Sequence, residues 1–318
     1  MTPILSIQNL TVQFDTPAGK LTAVDNVSLD IMHGETLGIV GESGCGKSVT
    51  AMSVLRLIPS PPGYFASGKI LFNDVNLLTL PYDELRAIRG AKIGMVFQDP
   101  MTALSPLRTI GSQLIETLQL HRKISRKEAL DIAVKWLEKV GISNARQRMR
   151  EYPHQFSGGM QQRVMIASAL MHHPQLIIAD EPTTALDVTI QQQVLELMKT
   201  IKGDDASMLL ITHDMGVIRK MCTRVIVMYA GEIVEIAPVN ELFSNPKHPY
   251  TQALLAALPS SVPRGAPIPS IQGTVPSLIE RPVGCRFAPR CPFVMEACRM
   301  AHPKLEKQGE GHLSRCIL

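Results

Sequence analysis

The stretch that decides the fold reads Gly41-Glu42-Ser43-Gly44-Cys45-Gly46-Lys47-Ser48. It fits the pattern G-x-x-x-x-G-K-[ST], whose glycines allow backbone N–H groups to approach and surround phosphate oxygens. An apolar run at 36–40 precedes this stretch, and residues 47–57 follow it with helical spacing. Strand, loop and helix in this order are the context that a phosphate-binding loop requires. We therefore predict that Lys47 reaches the β and γ phosphates of ATP and that Ser48 binds Mg²⁺. The residues of this loop expected to bind the nucleotide are Gly41, Ser43, Gly44, Cys45, Gly46, Lys47, Ser48 and Val49.

Apolar periodicity extends this α/β prediction to the rest of the chain. Alternating apolar residues at 10–14 and 27–31 predict an antiparallel β-layer near the N-terminus. Further apolar runs alternate with helical stretches, which is typical of a mostly parallel sheet. These runs lie at 93–97, 176–179, 207–212 and 224–229. Helices predicted at 109–120 and 126–140 form an insert in this α/β core, and Ser125 with Glu128 forms a capping box at the start of the second helix.

A pair of acids ends one of the predicted strands. Asp180 and Glu181 directly follow the apolar run at 176–179. Carboxylates at the end of a buried strand are costly unless they serve a cation or a reaction. We predict that Asp180 supports Mg²⁺ and that Glu181 polarises a water molecule.

A second polar segment reads Ser157-Gly158-Gly159-Met160, at the predicted start of a helix. The free N–H groups and the dipole of a helix N-terminus favour an anion there. By itself Ser-Gly-Gly predicts only a turn. Here the phosphate loop precedes it, and the acid pair and Thr212-His213-Asp214 follow it, in one fixed order.

With these motifs in this order, the chain resembles ABC-type transport ATPases over nearly its whole length. Two further segments, at 97–106 and 248–255, are similar to the oligopeptide, dipeptide and nickel importer branch of that family. The resemblance therefore implies a P-loop ABC-type ATPase core with an N-terminal antiparallel β-layer and a helical subdomain insert.

The same resemblance implies roles for individual residues. Gln98 would sense Mg²⁺ and the attacking water, Glu181 would act as the general base, and His213 would contact the γ-phosphate. Asp187, in Ala185-Leu186-Asp187, would lie at the seam of an ATPase dimer. Ser157, Gly158 and Gly159 would close over the nucleotide of a partner subunit, so that each active site is composite.

Phe14 matches the position at which the family stacks an aromatic ring on adenine. An aromatic residue in a predicted half-buried strand also suits core packing, and both interpretations of Phe14 stay open.

Composition narrows the class of protein. The net charge of +4 over 318 residues is spread among interleaved acids and bases, so we expect no nucleic-acid partner. No stretch approaches the roughly 20 uncharged apolar residues of a bilayer-spanning helix. The N-terminus has no basic segment followed by an apolar run, so we expect a cytosolic chain.

A change in composition after Leu258 predicts a domain boundary. Prolines at 259, 263, 267, 269 and 276 favour an extended linker. The predicted division is an ATPase domain at 1–258, with its helical subdomain at about 101–165, and an extension at 259–318.

Four cysteines mark this extension, at Cys285, Cys291, Cys298 and Cys316. Their spacing lacks the paired C-x-x-C of zinc ribbons, and Pro292 follows one cysteine as in some iron–sulfur sequences. Some importer ATPases that the chain resembles hold a [4Fe–4S] cluster in this region, which makes the cluster the leading interpretation. Zinc, with His302 or His312 available, and free thiols are the alternatives.

The leading functional hypothesis is the ATP-hydrolysing subunit of a membrane importer of di- or oligopeptides, at the cytoplasmic face of the inner membrane. The resemblance implies two membrane-spanning subunits, a second and related ATPase chain, and an extracytoplasmic binding protein as indirect partner. Nickel or metal chelates are an alternative cargo. Two other classes, a soluble non-transport ABC ATPase and a degenerate regulatory subunit, fit less well, because the chain has one cassette and retains Gln98, Glu181 and His213.

Overall fold

The computed structural model describes residues 2–183, 187–258, 262–263, 267 and 269–318, without the side chains of Met101, Thr102 and Val188. The chain divides into two compact units. The first comprises Met1–Met32, Thr36–Leu78 and Leu210–Leu318, and the second comprises His33–Glu35 and Thr79–Leu209.

The described strands are β1 Leu5–Thr16, β2 Gly19–Ile31, β3 Thr36–Val40, β4 Gly63–Phe72, β5 Val75–Asn76, β6 Ile93–Val96, β7 Leu176–Asp180, β8 Ser207–Ile211, β9 Arg224–Tyr229, β10 Glu232–Pro238, β11 Glu306–Gly309 and β12 His312–Ser314. The described helices are α1 Lys47–Val54, α2 Tyr82–Ile88, α3 Pro100–Ala103, α4 Ile110–His121, α5 Arg126–Lys139, α6 Ala145–Arg148, α7 Gly158–Leu170, α8 Val188–Lys202, α9 Met215–Met221, α10 Val239–Ser244, α11 Pro249–Ala256 and α12 Glu296–Met300. Among the described residues, no helix is both long and apolar enough to span a membrane.

The first unit begins with the antiparallel layer that the sequence predicts. Its strand order is β2-β1-β4-β5. Strand β1 pairs antiparallel with β2, with Leu5 opposite Ile31, and with β4, with Leu5 opposite Phe72. Alternate apolar side chains such as Leu10 and Val12 are buried, as expected of strands with one face in the core.

A second run of strands in the first unit carries the phosphate loop. Strand β3 pairs parallel with β9, and β10, β12 and β11 follow β9 in antiparallel order. All five residues of β3 are buried, which is typical of a strand covered on both faces. The β3 strand therefore brings the start of the loop to the end of a fixed, buried element.

The second unit combines the parallel pair β6 and β7 with the helices of the predicted insert. Ile93 lies opposite Leu176 in this pair. Helix α7 packs closely on β6, because a Cβ placed at Gly94 would lie 2.4 Å from the backbone oxygen of Ala169. Strand β8 crosses the division between the units, with Ser207–Leu209 in the second and Leu210–Ile211 in the first.

Most of the predicted elements are confirmed within one to three residues, including the strand at 224–229 and the helix at 126–140. Gly141 follows the helix with φ +81°, the left-handed conformation expected of a C′ glycine. Strand β10 was not predicted, because Glu232 and Glu235 interrupt its apolar run. Both carboxylates are buried against histidines, Glu232 with His302 at 2.8 Å and Glu235 with His312 at 2.7 Å.

A capping box stabilises the start of α5. The Ser125 hydroxyl accepts from the Glu128 N–H, and the Glu128 carboxylate accepts from the Ser125 N–H at 2.9 Å. We expect Ser125→Ala to lower the free energy of unfolding by about 1 kcal/mol, because the helix loses its N-cap. Chemical denaturation followed by circular dichroism measures this. Ser143→Ala, the same change at an exposed serine, is the control and should stay within about 0.5 kcal/mol of the parent. Equal effects of the two substitutions would contradict the capping role.

Candidate functional site

The phosphate loop runs from the end of β3 to the first turn of α1, and two of its glycines have no room for a side chain. A Cβ at Gly41 would lie 2.2 Å from the backbone oxygen of Met228, and a Cβ at Gly46 would lie 2.4 Å from that of Ala23. Gly46 also has φ +102°. The loop is therefore held by direct backbone packing on β9 and β2.

Lys47 lies inside the loop. Its ammonium donates to the backbone oxygens of Gly41 at 2.7 Å and Glu42 at 3.0 Å, and its side chain is almost fully buried. The loop thus curls around its own lysine. Ser48 and Val49, the next residues of α1, are half-buried, while Ser43 and Gly44 are exposed at the tip of the loop.

A second layer of contacts holds Glu42, the second residue of the loop. The Tyr250 hydroxyl accepts a hydrogen bond from the Glu42 backbone N–H at 2.8 Å. Arg290 donates from its two terminal nitrogens to the two carboxylate oxygens of Glu42, at 2.6 Å and 3.0 Å. These hydrogen bonds to Glu42 hold the pKa of Arg290 above its ordinary value.

Sequence reasoning missed this second layer. Tyr250 falls in a segment that marks the family resemblance, but no pattern assigns it a role. Arg290 is 248 residues away from Glu42 in the chain, and an isolated arginine beside a cysteine carries no motif. Only the folded chain brings the two together.

In the second unit, the strand-end acids lie beside the predicted glutamine. Asp180 ends β7 with a buried side chain, and Glu181 follows with φ +46°, an uncommon conformation for a residue with a side chain. The Gln98 amide donates to the Glu181 carboxylate at 3.2 Å. The structure therefore places Gln98 and Glu181 together, at the ends of the neighbouring parallel strands β6 and β7.

Ser157 and Asp187 both cap helices of the second unit. The Ser157 hydroxyl accepts from the Met160 N–H at 3.4 Å at the start of α7, and the Asp187 carboxylate accepts from the Ile190 N–H at 2.9 Å at the start of α8. Both side chains are exposed. Gly158 is also exposed, and Gly159 packs on Ile190, where a Cβ would lie 3.2 Å from the methyl group. Ala185 and Leu186 of the predicted dimer motif lie outside the described residues.

The remaining predicted nucleotide contacts, Phe14 and His213, belong to the first unit with Lys47 and Ser48. His213 is exposed, two residues beyond the end of β8, and Asp214 after it caps α9. Phe14 is half-buried on β1 opposite Gly63, where a Cβ would lie 2.9 Å from the phenyl ring. Its stacking on adenine stays a prediction.

Four cysteines between residues 285 and 316 converge on one small cavity. Cys285, Cys291, Cys298 and Cys316 line it together with Phe287, Phe293, His248, Pro249, Ala288, Pro303, Ile317 and Leu318. Burial raises the pKa of Cys285 to about 11 and also raises the pKa of Cys291 and of Cys316, so these groups are neutral thiols at pH 7 when no cation is bound. Within the part of the chain that the structure describes, no three His, Cys, Asp or Glu side chains are grouped closely enough for a single metal ion.

Comparison with known proteins agrees with this arrangement of motifs. Residues 24–184 match the family model described as ABC transporter, and residues 234–298 match the model described as Oligopeptide/dipeptide transporter, C-terminal region. The dipeptide transport ATP-binding protein DppD of Bacillus subtilis is 49% identical over 319 residues, which cover 100% of this chain and 95% of the relative. A putative peptide import ATP-binding protein of Brucella abortus is 48% identical over 327 residues, with 99% and 97% covered.

Among solved structures, the chain is similar to the ATP-binding cassette MJ0796 in a dimeric post-hydrolysis state bound to ADP and Pi. The TM-score is 0.67 at 31% identity, and the match covers 74% of this chain and 98% of that chain.

The glycines of the loop supply a prediction about its packing. Gly46→Ala should lower the free energy of unfolding of the nucleotide-free protein by about 2 kcal/mol or more, because its methyl group meets the Ala23 carbonyl. Gly44→Ala is the matched control, since Gly44 has φ +78° but nothing within 4 Å of the added Cβ. Only the conformational strain of about 1 kcal/mol is expected there. Thermal unfolding without nucleotide compares the two, and equal losses would contradict the backbone packing.

Proposed function

The chain belongs to the ATP-binding subunits of ABC transporters, in the oligopeptide and dipeptide branch, and on that premise we propose that its ATP hydrolysis drives the import of di- or oligopeptides. What supports this proposal is that the chain has the residues to which hydrolysis is assigned: Lys47 hydrogen-bonded inside the phosphate loop, and Glu181 hydrogen-bonded to Gln98. A degenerate regulatory subunit would lack part of that set.

In this proposal the loop from Gly41 to Val49 binds the phosphates. Its backbone is fixed by packing, and Lys47 exchanges two backbone carbonyls for phosphate oxygens when nucleotide enters. Phosphoryl transfer needs positioning and electrostatic stabilisation more than covalent chemistry, and a buried ammonium supplies both.

Hydrolysis is assigned to Glu181 as general base. The amide of Gln98 donates to its carboxylate, and Glu181 has a left-handed backbone conformation directly after the end of β7. His213 is proposed to contact the γ-phosphate. Ser48, Gln98 and Asp180 offer a hydroxyl, an amide and a carboxylate, which are the oxygen donors that Mg²⁺ prefers, so the residues present fit this ion. When bound, Mg²⁺ neutralises phosphate charge.

We further propose that a second, related ATPase chain completes each site. Ser157, Gly158 and Gly159 present the N-terminus of the 13-residue helix α7 with exposed Ser157 and Gly158, where a helix dipole favours an anion. Asp187, exposed at the start of α8, is proposed to lie at the seam of this dimer.

We propose that the chain lies at the cytoplasmic face of the inner membrane, bound to two membrane-spanning subunits. An extracytoplasmic binding protein would deliver the substrate to those subunits. The relatives are described as peptide and dipeptide import proteins, which favours peptide cargo over nickel or metal chelates. Nucleic acid is not among the proposed partners. We also propose that the ATPase domain ends at residue 258 and that its helical subdomain spans about 101–165.

The cysteine-lined cavity is proposed to hold a [4Fe–4S] cluster. Four thiolates are the usual ligands of such a cluster, and each sulfur binds a different iron, so the sulfurs stand farther apart than around one ion. What supports this proposal is that all four cysteines line one cavity, which offers the four sulfur donors that such a cluster takes. Bound there, the cluster would cross-link the extension.

The assignment of the base predicts a separation of binding from turnover. Glu181→Gln should abolish ATP hydrolysis while ATP binding is kept, because the amide cannot accept the proton of water. Lys47→Ala should instead weaken ATP binding. Turnover of ATP and uptake of labelled dipeptide are measured in proteoliposomes that hold the complete transporter. Normal hydrolysis by Glu181→Gln would contradict the assignment, and uptake of nickel without dipeptide would favour the chelate alternative.

The cluster predicts a metal content. Anaerobically purified protein should contain about four iron and four acid-labile sulfide per chain. Cys298→Ser should lose most of both, while Cys222→Ser, which changes a cysteine outside the cavity, should keep them. Iron near zero in the parent protein would rule the cluster out, and one zinc per chain would favour the alternative site.

A further inference from the structure

Arg290 reaches the phosphate loop from the C-terminal extension. Its side chain is only 4% exposed, and the guanidinium forms a two-pronged ion pair with Glu42, whose side chain is 28% exposed. Paired contacts of this planar kind fix both the position and the orientation of a carboxylate.

The position of Arg290 is itself determined by the extension and by β9. Its Nε donates to the Gln272 carbonyl at 3.0 Å, and a terminal nitrogen donates to the Ile271 carbonyl at 3.2 Å. The Tyr229 hydroxyl accepts a further bond from the guanidinium at 3.3 Å. The guanidinium is therefore held by three hydrogen bonds besides its ion pair with Glu42.

Glu42 is also held through its backbone. The Tyr250 hydroxyl accepts from its N–H, and Lys47 donates to its carbonyl. One residue of the loop is thus bound through its amide, its carbonyl and its side chain at once. Of these three contacts, the side-chain contact carries a negative charge that needs an opposite charge.

The charge of Glu42 bears directly on the nucleotide. A carboxylate in the second position of a phosphate loop repels the triphosphate that the loop is built to accept. With Arg290 in place the pair is neutral, and the side chain is drawn onto the guanidinium. Without Arg290 a partly buried negative charge would remain in the loop that is proposed to bind the phosphates.

We infer that Arg290 is a positioning residue of the nucleotide site, which neutralises and orients Glu42 so that the loop accepts the triphosphate. This inference rests on the proposed role of the loop in binding ATP. Arg290 itself touches neither phosphate nor Mg²⁺ in this assignment; it acts through Glu42.

The test is a rescue experiment on the full chain. Arg290→Ala should raise the Kd of a non-hydrolysable ATP analogue roughly tenfold, the effect of removing one hydrogen-bonded charge. Adding Glu42→Gln in the same chain should restore the Kd to within about threefold of the parent, because the unpaired charge is gone. Turnover at saturating ATP should fall less than the affinity. A folded Arg290→Ala protein with the parent Kd, or no restoration by Glu42→Gln, would overturn the inference.

Controls separate this effect from general loosening of the extension. Arg281 also anchors the extension, by an ion pair with Asp25 on β2, and its hydrogen bonds go to Leu278, Asp25 and Thr22, which lie outside the phosphate loop. Arg281→Ala should lower the Tm but leave the Kd of the ATP analogue within about twofold of the parent. An equal loss of affinity in Arg281→Ala and Arg290→Ala would reduce Arg290 to a structural anchor and overturn the inference.

Two further variants separate a failure of the proposed function from a failure of the inference about Arg290. Lys47→Ala tests the proposed function by itself, because a parent-like Kd in that variant would refute ATP binding by the loop whatever Arg290 does. If Arg290→Ala does not fold, Arg290→Lys retains the charge but loses the two-pronged geometry, and its Kd should rise roughly threefold. An unchanged Kd in Arg290→Lys would then count against the positioning role.

Discussion

Close backbone packing around the phosphate loop is the constraint on which the rest of the structure depends. The N–H groups that such a loop offers to phosphate cannot at the same time hold its backbone in shape. It is held from behind instead, where Gly41 and Gly46 meet the carbonyls of Met228 and Ala23 without room for a Cβ. Strands β9 and β2 must therefore stand in fixed places before the loop can have its shape.

Residues 250–290 of the first unit contribute to this support. Tyr229 of β9, Tyr250 of α11 and Phe287 form one buried aromatic cluster, with ring centres 4.6 to 5.4 Å apart. The Tyr250 hydroxyl accepts a hydrogen bond from the Glu42 N–H, and the Tyr229 hydroxyl accepts one from Arg290. Packing energy from the cluster and directed hydrogen bonds at its rim are thus combined in the same side chains.

A buried charge on β10 joins this strand to β12 and to residues 247 and 248. Glu235 of β10 is fully buried and accepts from the backbone N–H groups of Lys247 and His248 and from His312 of β12. A carboxylate can be buried in this way only when its oxygens are satisfied. In the sequence the same glutamate interrupts an apolar run, so the pattern does not predict β10. The apolar runs of β3 and β7 have no such interruption, and both strands are predicted.

By itself the sequence determined the elements whose cause is local: the glycine-rich turn after β3, the capping box at Ser125, and the acids that end β7. Each depends on residues within a few positions of one another, so pattern and spacing suffice. Tertiary structure alone decided what surrounds them. Three contacts join residues far apart in the chain. They are the ion pair of Glu42 with Arg290, the hydrogen bond from the Glu42 N–H to Tyr250, and the convergence of four cysteines on one cavity. Such contacts follow from how strands are ordered and packed, and no local pattern encodes that order.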